Sequence, residues 1–214
     1  MSTELPGQAT GGPTSATHDH QHDHDHDSDH DSAHGHDGLG DGGHPAHDAS
    51  VACAIAHGTV PAPTGDRRLV AVFDSPVSRE LAHFAEHVGY EVVVLEPSAA
   101  RRGGSGSQVA DVAAARLDGR TDVVVTDHDR AELGDVLAEV LAGSPRWIGV
   151  MGSPRHTGPH VAALRERGFD DAAIARVHRP IGLNIGSRSP AEIAVATLAG
   201  LLADRNGRDG GPYR

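Results

Sequence analysis

Residues 147–200 read WIGVMGSPRHTGPHVAALRERGFDDAAIARVHRPIGLNIGSRSPAEIAVATLAG. An apolar run over residues 147–151 leads into the glycine turn Gly149-Val150-Met151-Gly152-Ser153, and Ser153-Pro154 predicts a helix running to about Arg167. A second glycine turn, Pro180-Ile181-Gly182-Leu183-Asn184-Ile185-Gly186, precedes Ser189-Pro190-Ala191-Glu192. That tetrapeptide sets an N-cap hydroxyl, an N1 proline and an N3 carboxylate at the start of a final helix. Strand, glycine turn and helix in succession belong to a parallel sheet whose strands are joined by helices. Backbone loops at helix N-termini are also sites where an anion can be held.

The same alternation extends upstream. Residues 69–73 form a strand candidate, and Ser75-Pro76 opens a predicted helix to about Val88. EVVVL (residues 91–95) and DVVVT (residues 122–126) are further strands, with a loop over residues 97–108 and a short helix over 109–117 between them. A helix is expected from about Arg130 to Leu141, with Asp129 and Glu132 at capping-box spacing, and another over 171–177. β-Branched strands alternating with helices predict a Rossmann-like α/β fold, a parallel sheet with helices on both faces.

Composition divides the chain. Residues 1–50 hold ten acidic groups and no arginine or lysine, so nearly all of the formal charge of −12 lies there. The segment is rich in Gly, His and Asp, has almost nothing to bury, and is expected to be disordered. Residues 51–66 read as a linker, 67–204 as the folded domain and 205–214 as a frayed end. About 140 residues is a common size for one domain.

Several function classes are excluded. Residues 51–214 carry 18 arginines against 20 acids, without the clustered positive excess that nucleic acid requires. The pairs Arg67-Arg68 and Arg101-Arg102 read as solvated loop ends. The chain contains no lysine, so a P-loop or a Schiff-base site is ruled out. Cys53 is the single cysteine, so neither an intrachain disulfide nor a cysteine metal cluster can form. With no signal-peptide pattern at its start and a longest apolar run of roughly half a membrane span, the chain is expected to be soluble and cytoplasmic.

The first strand-to-helix turn, Phe73-Asp74-Ser75-Pro76-Val77-Ser78-Arg79, lacks the glycines that bring backbone close to a pyrophosphate, and Asp74 would repel phosphate. This argues against NAD at that turn and leaves Glu96 as a strand-end acid with no ribose to meet. Asp127-His128-Asp129 follows the third strand, at the edge where open α/β sheets take ligands, so His128 is the candidate acid, base or ligand. His18, His20, His22, His24, His26, His30, His34 and His36 make the tail a candidate site for divalent Zn, Ni, Co or Cu.

The order and spacing of the two glycine turns, followed by Pro190-Ala191-Glu192-Ile193-Ala194, resemble the C-terminal Rossmann-like domain of the XdhC/CoxI family. These are accessory factors that handle molybdenum cofactor for xanthine dehydrogenase-type and carbon monoxide dehydrogenase-type enzymes. The resemblance covers roughly residues 67–204. It implies an accessory rather than a catalytic protein that binds molybdenum cofactor (molybdopterin). The implied cofactor contacts are His128, Gly149, Gly152, Ser153, Arg155, Gly182, Asn184 and Gly186. The implied partner is a molybdenum hydroxylase apo-enzyme, joined by a second XdhC-like protein or a cysteine desulfurase, with oligomerisation open.

Three departures accompany the resemblance. The family usually has Asp where Asn184 stands and a Gly-Ala-Gly-type first turn. Its N-terminal domain with a Gly-Gly-Cys-x-Glu-type motif has no match, and Cys53 lacks the preceding glycines. Two other classes stay open: a nicotinamide-dependent oxidoreductase on the same fold, and a metal-storage or metal-delivery protein working through its tail.

Overall fold

In a computed structural model, residues 46–61, 66–103, 106–153, 155 and 157–211 are described. Residues 1–49 and 50–214 are separate units, and the fold below belongs to the second. The tail histidines of the expected metal tract lie outside the described residues. Helix α1 (Ala46–Ala56) takes in the start of the expected linker.

The sheet is built from β1 (Arg67–Val72), β2 (Tyr90–Leu95), β3 (Gln108–Val109), β4 (Thr121–Val125), β5 (Trp147–Val150) and β6 (Val177–His178). Their order is β3-β2-β1-β4-β5-β6, and every pairing is parallel. The connections carry α2 (Pro76–His87), α3 (Val112–Ala115), α4 (Leu133–Ala142), α5 (Pro159–Glu166) and α6 (Asp171–Ile174), and α7 (Pro190–Arg205) closes the fold.

Side chains alternate across a strand, so a sheet covered on both faces needs continuous apolar runs. Val70, Val72, Val123, Val125, Ile148 and Val150 point to one face, against Val136, Leu137 and Val140 of α4 and Leu164 of α5. Leu69 and Val124 point to the other, where Leu81 and Ala85 of α2 meet Ala194, Leu198 and Leu201 of α7. Truncating a fully buried leucine such as Leu69 or Leu137 to alanine costs about 2–5 kcal/mol in a core of this kind.

Helix starts follow local chemistry at two of the three Ser-Pro sites where a helix start was expected. Ser75 Oγ accepts from Ser78 N (3.0 Å) while Ser78 Oγ accepts from Ser75 N (2.8 Å), and Pro76 fills the first turn of α2. Ser189 and Glu192 form the same reciprocal box on α7, as the sequence predicts. The third expectation fails: α5 opens at Pro159 behind Gly158, not at Ser153-Pro154. The predicted Asp129/Glu132 capping box is also absent. Helix α4 starts at Leu133, Glu132 makes no cap bond, and its carboxylate is taken by Arg130 at 3.0 Å.

The predicted helix over 171–177 is shorter and gives way to strand β6, and β3 runs where a loop was expected. Nor are the arginine pairs simply solvated. Arg68 donates to the Arg116 carbonyl (2.6 Å), and Arg102 donates to the carbonyls of Glu96 (3.0 Å) and Pro97 (2.9 Å). At the N-terminal edge of the sheet, fully buried Asp122 accepts from Arg146 Nε (2.5 Å), Arg205 Nε (2.6 Å) and Tyr90 OH (3.3 Å). Burial, together with that carboxylate, pushes the Tyr90 phenol up to about 12. This clasp ties the end of α7 to the sheet, opposite the edge where ligands enter such folds.

Candidate functional site

Strand order reverses between β1 and β4, and open α/β sheets bind ligands outside the C-terminal ends of the strands at such a reversal. The turns after β1, β4, β5 and β6 therefore frame the candidate crevice.

At the β1–β4 junction the protein satisfies its own groups. Thr126 Oγ1 donates to the carbonyls of Val72 and Phe73, each at 3.0 Å. Its proton thus spent, the hydroxyl accepts from Ser75 Oγ at 3.0 Å. Phe73 holds φ +72°, a left-handed conformation that disfavours a side chain. Its fully buried ring packs under the Arg130 guanidinium, 4.5 Å from centroid to Cζ.

Glu96, at the end of β2, is fully buried. Arg130 grips its carboxylate with two bonds (2.9 and 3.0 Å), and the backbone N–H groups of Asp74 and Ser98 donate at 2.9 Å each. Burial alone would raise its pKa, but the Arg130 and backbone hydrogen bonds outweigh it and hold the carboxyl at about 2. The position that meets a ribose in dinucleotide folds is thus held by Arg130, a residue the sequence reading missed. Arg130 lies 34 positions from Glu96, and no local pattern joins them.

His128, after β4, is about one-third exposed and lies 3.6 Å from Asp129. Asp127 accepts from the Asp129 N–H at 3.1 Å, which shapes the turn.

The two glycine turns meet. Gly149 lies inside β5, not in the turn after it, and pairs with His178 of β6. The space a side chain would use at Gly149 is filled by the Trp147 ring and by Ile181, whose Cγ2 lies 2.9 Å from an added Cβ. Gly152 has φ +153°, and a Cβ there would lie 2.8 Å from Arg179 Cζ. Gly158, at the N-cap of α5, is crowded by Arg179 Cδ at 3.0 Å and by the His160 ring. Gly152 and Gly158 thus make room for the Arg179 side chain, and neither Arg179 nor His160 was read from the sequence as a site residue.

His160 is 5% exposed, and its Nδ1 has no hydrogen-bond partner among the described residues. Burial, then the Arg179 charge, hold its pKa below the usual histidine range. Ser153 and Arg155 are exposed, with Ser153 Oγ accepting from Arg155 N at 3.2 Å.

The second turn divides in function. Gly182, at φ +86°, presses on α7, where a Cβ would lie 3.0 Å from Thr197 N, and Leu183 N donates to the Ala196 carbonyl at 2.9 Å. Gly182 also lines a cavity of about 280 Å³ bounded by Trp147, His178, Leu201, Asp204 and Arg208. The Trp147 and His178 rings stack there at 5.3 Å. Asn184 and Gly186 are exposed, and Gly186 takes φ +70° with open space beside it.

A six-stranded doubly wound parallel sheet with helices on both faces defines a Rossmann-like domain. The chain belongs to the XdhC family: the XdhC Rossmann domain profile matches residues 69–201. It is 29% identical over 160 residues to the uncharacterized protein YqeB of Escherichia coli (strain K12), spanning 67% of this chain and 28% of that one. A solved structure described as a xanthine dehydrogenase from Bacillus halodurans shares the fold, with a TM-score of 0.55 at 22% identity. That likeness covers 68% of this chain and 46% of the other, so this chain spans less than half of either relative. Among the described residues, no helix is long and apolar enough to cross a membrane.

Proposed function

We propose that this chain is an accessory protein for molybdenum hydroxylases and that it holds the phosphate-bearing molybdenum cofactor at the β5–β6 half of the crevice. The observation that carries this reading is charge: Arg155, Arg179 and Arg188 fall there, with no Asp or Glu in residues 147–165 or 172–191.

The residues present fit an anion. The glycine turn leaves room for a guanidinium beside backbone N–H groups, and His160 Nδ1 is a buried polar atom without a partner among the described residues. The N-terminus of α5 has no side-chain cap; Pro159 brings no N–H and the Val161 N–H donates to the Gly158 carbonyl at 3.1 Å, which leaves the His160 N–H of the first turn for a ligand. Arg155 and Arg179 would neutralise the phosphate, and the His160 N–H at the start of α5 would orient it. When bound, the cofactor supplies the molybdenum centre used by the client enzyme. His128 is assigned to hold or move a proton at its ring nitrogens. The partner in this reading is the hydroxylase apo-enzyme, acting with a second XdhC-like protein or a cysteine desulfurase.

The test is retention. The purified full chain is mixed with molybdenum cofactor released from a molybdoenzyme and separated by gel filtration, with and without the apo-enzyme. Pterin and molybdenum should co-elute with the protein, and Arg155→Ala should weaken retention by roughly tenfold, the loss expected for a charge-assisted phosphate contact. Retention neither alone nor with the apo-enzyme overturns the proposal.

A further inference from the structure

We propose that the exposed face of α2 carries a two-imidazole chelating site, His83 and His87, for a borderline divalent cation such as Ni²⁺, Zn²⁺, Co²⁺ or Cu²⁺. Residues four apart on a helix stand one turn above each other on one face. Both residues are exposed, and their rings meet with centroids 4.7 Å apart and planes inclined by 68°. With metal–nitrogen bonds of about 2.0–2.1 Å, two imidazoles sharing one ion at adjacent coordination positions hold their ring centroids roughly 4.5–5 Å apart. The pair therefore already stands at a chelating separation.

A hydrogen bond fixes the tautomer. His87 Nδ1 lies 2.7 Å from the His83 carbonyl oxygen, which can only accept, so Nδ1 carries the proton. The neutral ring then keeps its lone pair on Nε2, the ligating atom. Metal-bound histidines commonly use such a bond to a backbone carbonyl to orient the ring, and here the helix supplies it. His87 is the last residue of α2, so the cation would sit at the negative end of the helix dipole.

Among the described residues, no group of three or more His, Cys, Asp or Glu could hold a metal ion. The pair thus leaves positions open to water or to a further ligand, which suits exchangeable rather than closed structural binding. Imidazole ligands select borderline cations over oxygen-seeking Mg²⁺. Neither histidine belongs to the crevice described above.

Thermal unfolding of the full chain with Ni²⁺ tests the site, with Mg²⁺ as control. Wild type, His83→Ala, His87→Ala and the double variant share the same tail, so differences between them report the helix pair. An ion bound only to the folded chain raises the folded-to-unfolded ratio about 100-fold at 100 times its dissociation constant. Ni²⁺ should raise the wild-type midpoint above any shift in the variants, and each single change should lose the same increment as the double, because a chelate needs both rings. Mg²⁺ should not separate the four proteins. Equal Ni²⁺ shifts in all four overturn the proposal, as do single variants that each keep half of the increment. If an alanine variant lowers the metal-free midpoint, His83→Gln and His87→Gln are compared in the same way.

Discussion

The crevice has two unlike halves. Around the β1–β4 junction the ends of the strands carry acid: Asp74, Glu96, Asp127, Asp129 and Glu132. Their neighbours are bound to one another, with Thr126 stitched to two carbonyls and Glu96 closed by Arg130. Around β5 and β6 the turns carry arginine and glycine, with backbone bent at Gly152, Gly182 and Gly186. The fold that elsewhere binds a dinucleotide across both halves is here closed on one side, and the other half is the one proposed to hold an anion. A shared strand order fixes where a crevice lies but not which half binds.

The largest expected break in this contrast comes from Glu96→Gln. Removing one partner of a buried ion pair leaves the other charge unpaired, at a cost of about 3–5 kcal/mol. The acid limb of stability checks the same point. The Glu96 carboxyl sits at about 2 against an ordinary 4.5, so the unfolded chain takes up the proton first as pH falls. The stability it contributes is complete above pH 4.5 and lost progressively toward about 2. At 1.36 kcal/mol per unit that is roughly 3 kcal/mol. Urea midpoints of wild type should fall across this window, and those of Glu96→Gln should fall less. Equal slopes would mean that Arg130 does not hold the carboxylate. Fluorescence titration with NADH sharpens the contrast from the ligand side. No saturable sub-millimolar binding is expected, since the first turn lacks glycine and its acid is engaged.

On the open side, Gly182→Val is expected to cost about 2–4 kcal/mol, combining left-handed strain with overpacking. Its Cβ would lie 3.0–3.1 Å from backbone atoms of α7, which cannot swing aside. Gly186→Ala carries the left-handed strain but meets open space, so its cost should be smaller, about 1–2 kcal/mol. Thermal or urea midpoints of the two variants decide the order, and equal losses would show that close approach to α7 contributes nothing.

The sheet was legible because VVV runs buried on both faces carry β-branched side chains without interruption, as at residues 92–94 and 123–125. The edge strands β3 and β6 were not, because two residues set no period. Family and glycine turns were legible from spacing. The Arg130–Glu96 pair, and Arg179 beside Gly152 and Gly158, were not, because each depends on chain segments brought together only by the fold. His128 was legible as a strand-end residue, since the third strand was predicted to end at Thr126 and ends at Val125.

The smallest effects separate three identical dipeptides. Ser75-Pro76 and Ser189-Pro190 cap helices, whereas Ser153 accepts, among the described residues, from Arg155 N within a turn. Ser75→Ala and Ser189→Ala should each cost about 1 kcal/mol, the usual loss of an N-cap side chain. Ser153→Ala should stay within about 0.5 kcal/mol of wild type, as exposed substitutions away from caps do. Because Ser153 stands on the turn proposed to meet the cofactor, the same variant read by cofactor retention tests that proposal without disturbing the fold. A midpoint loss for Ser153→Ala matching that of Ser75→Ala would mean that α5 begins at Ser153 after all, and the His160 N–H assigned to the phosphate would then be spent inside the helix.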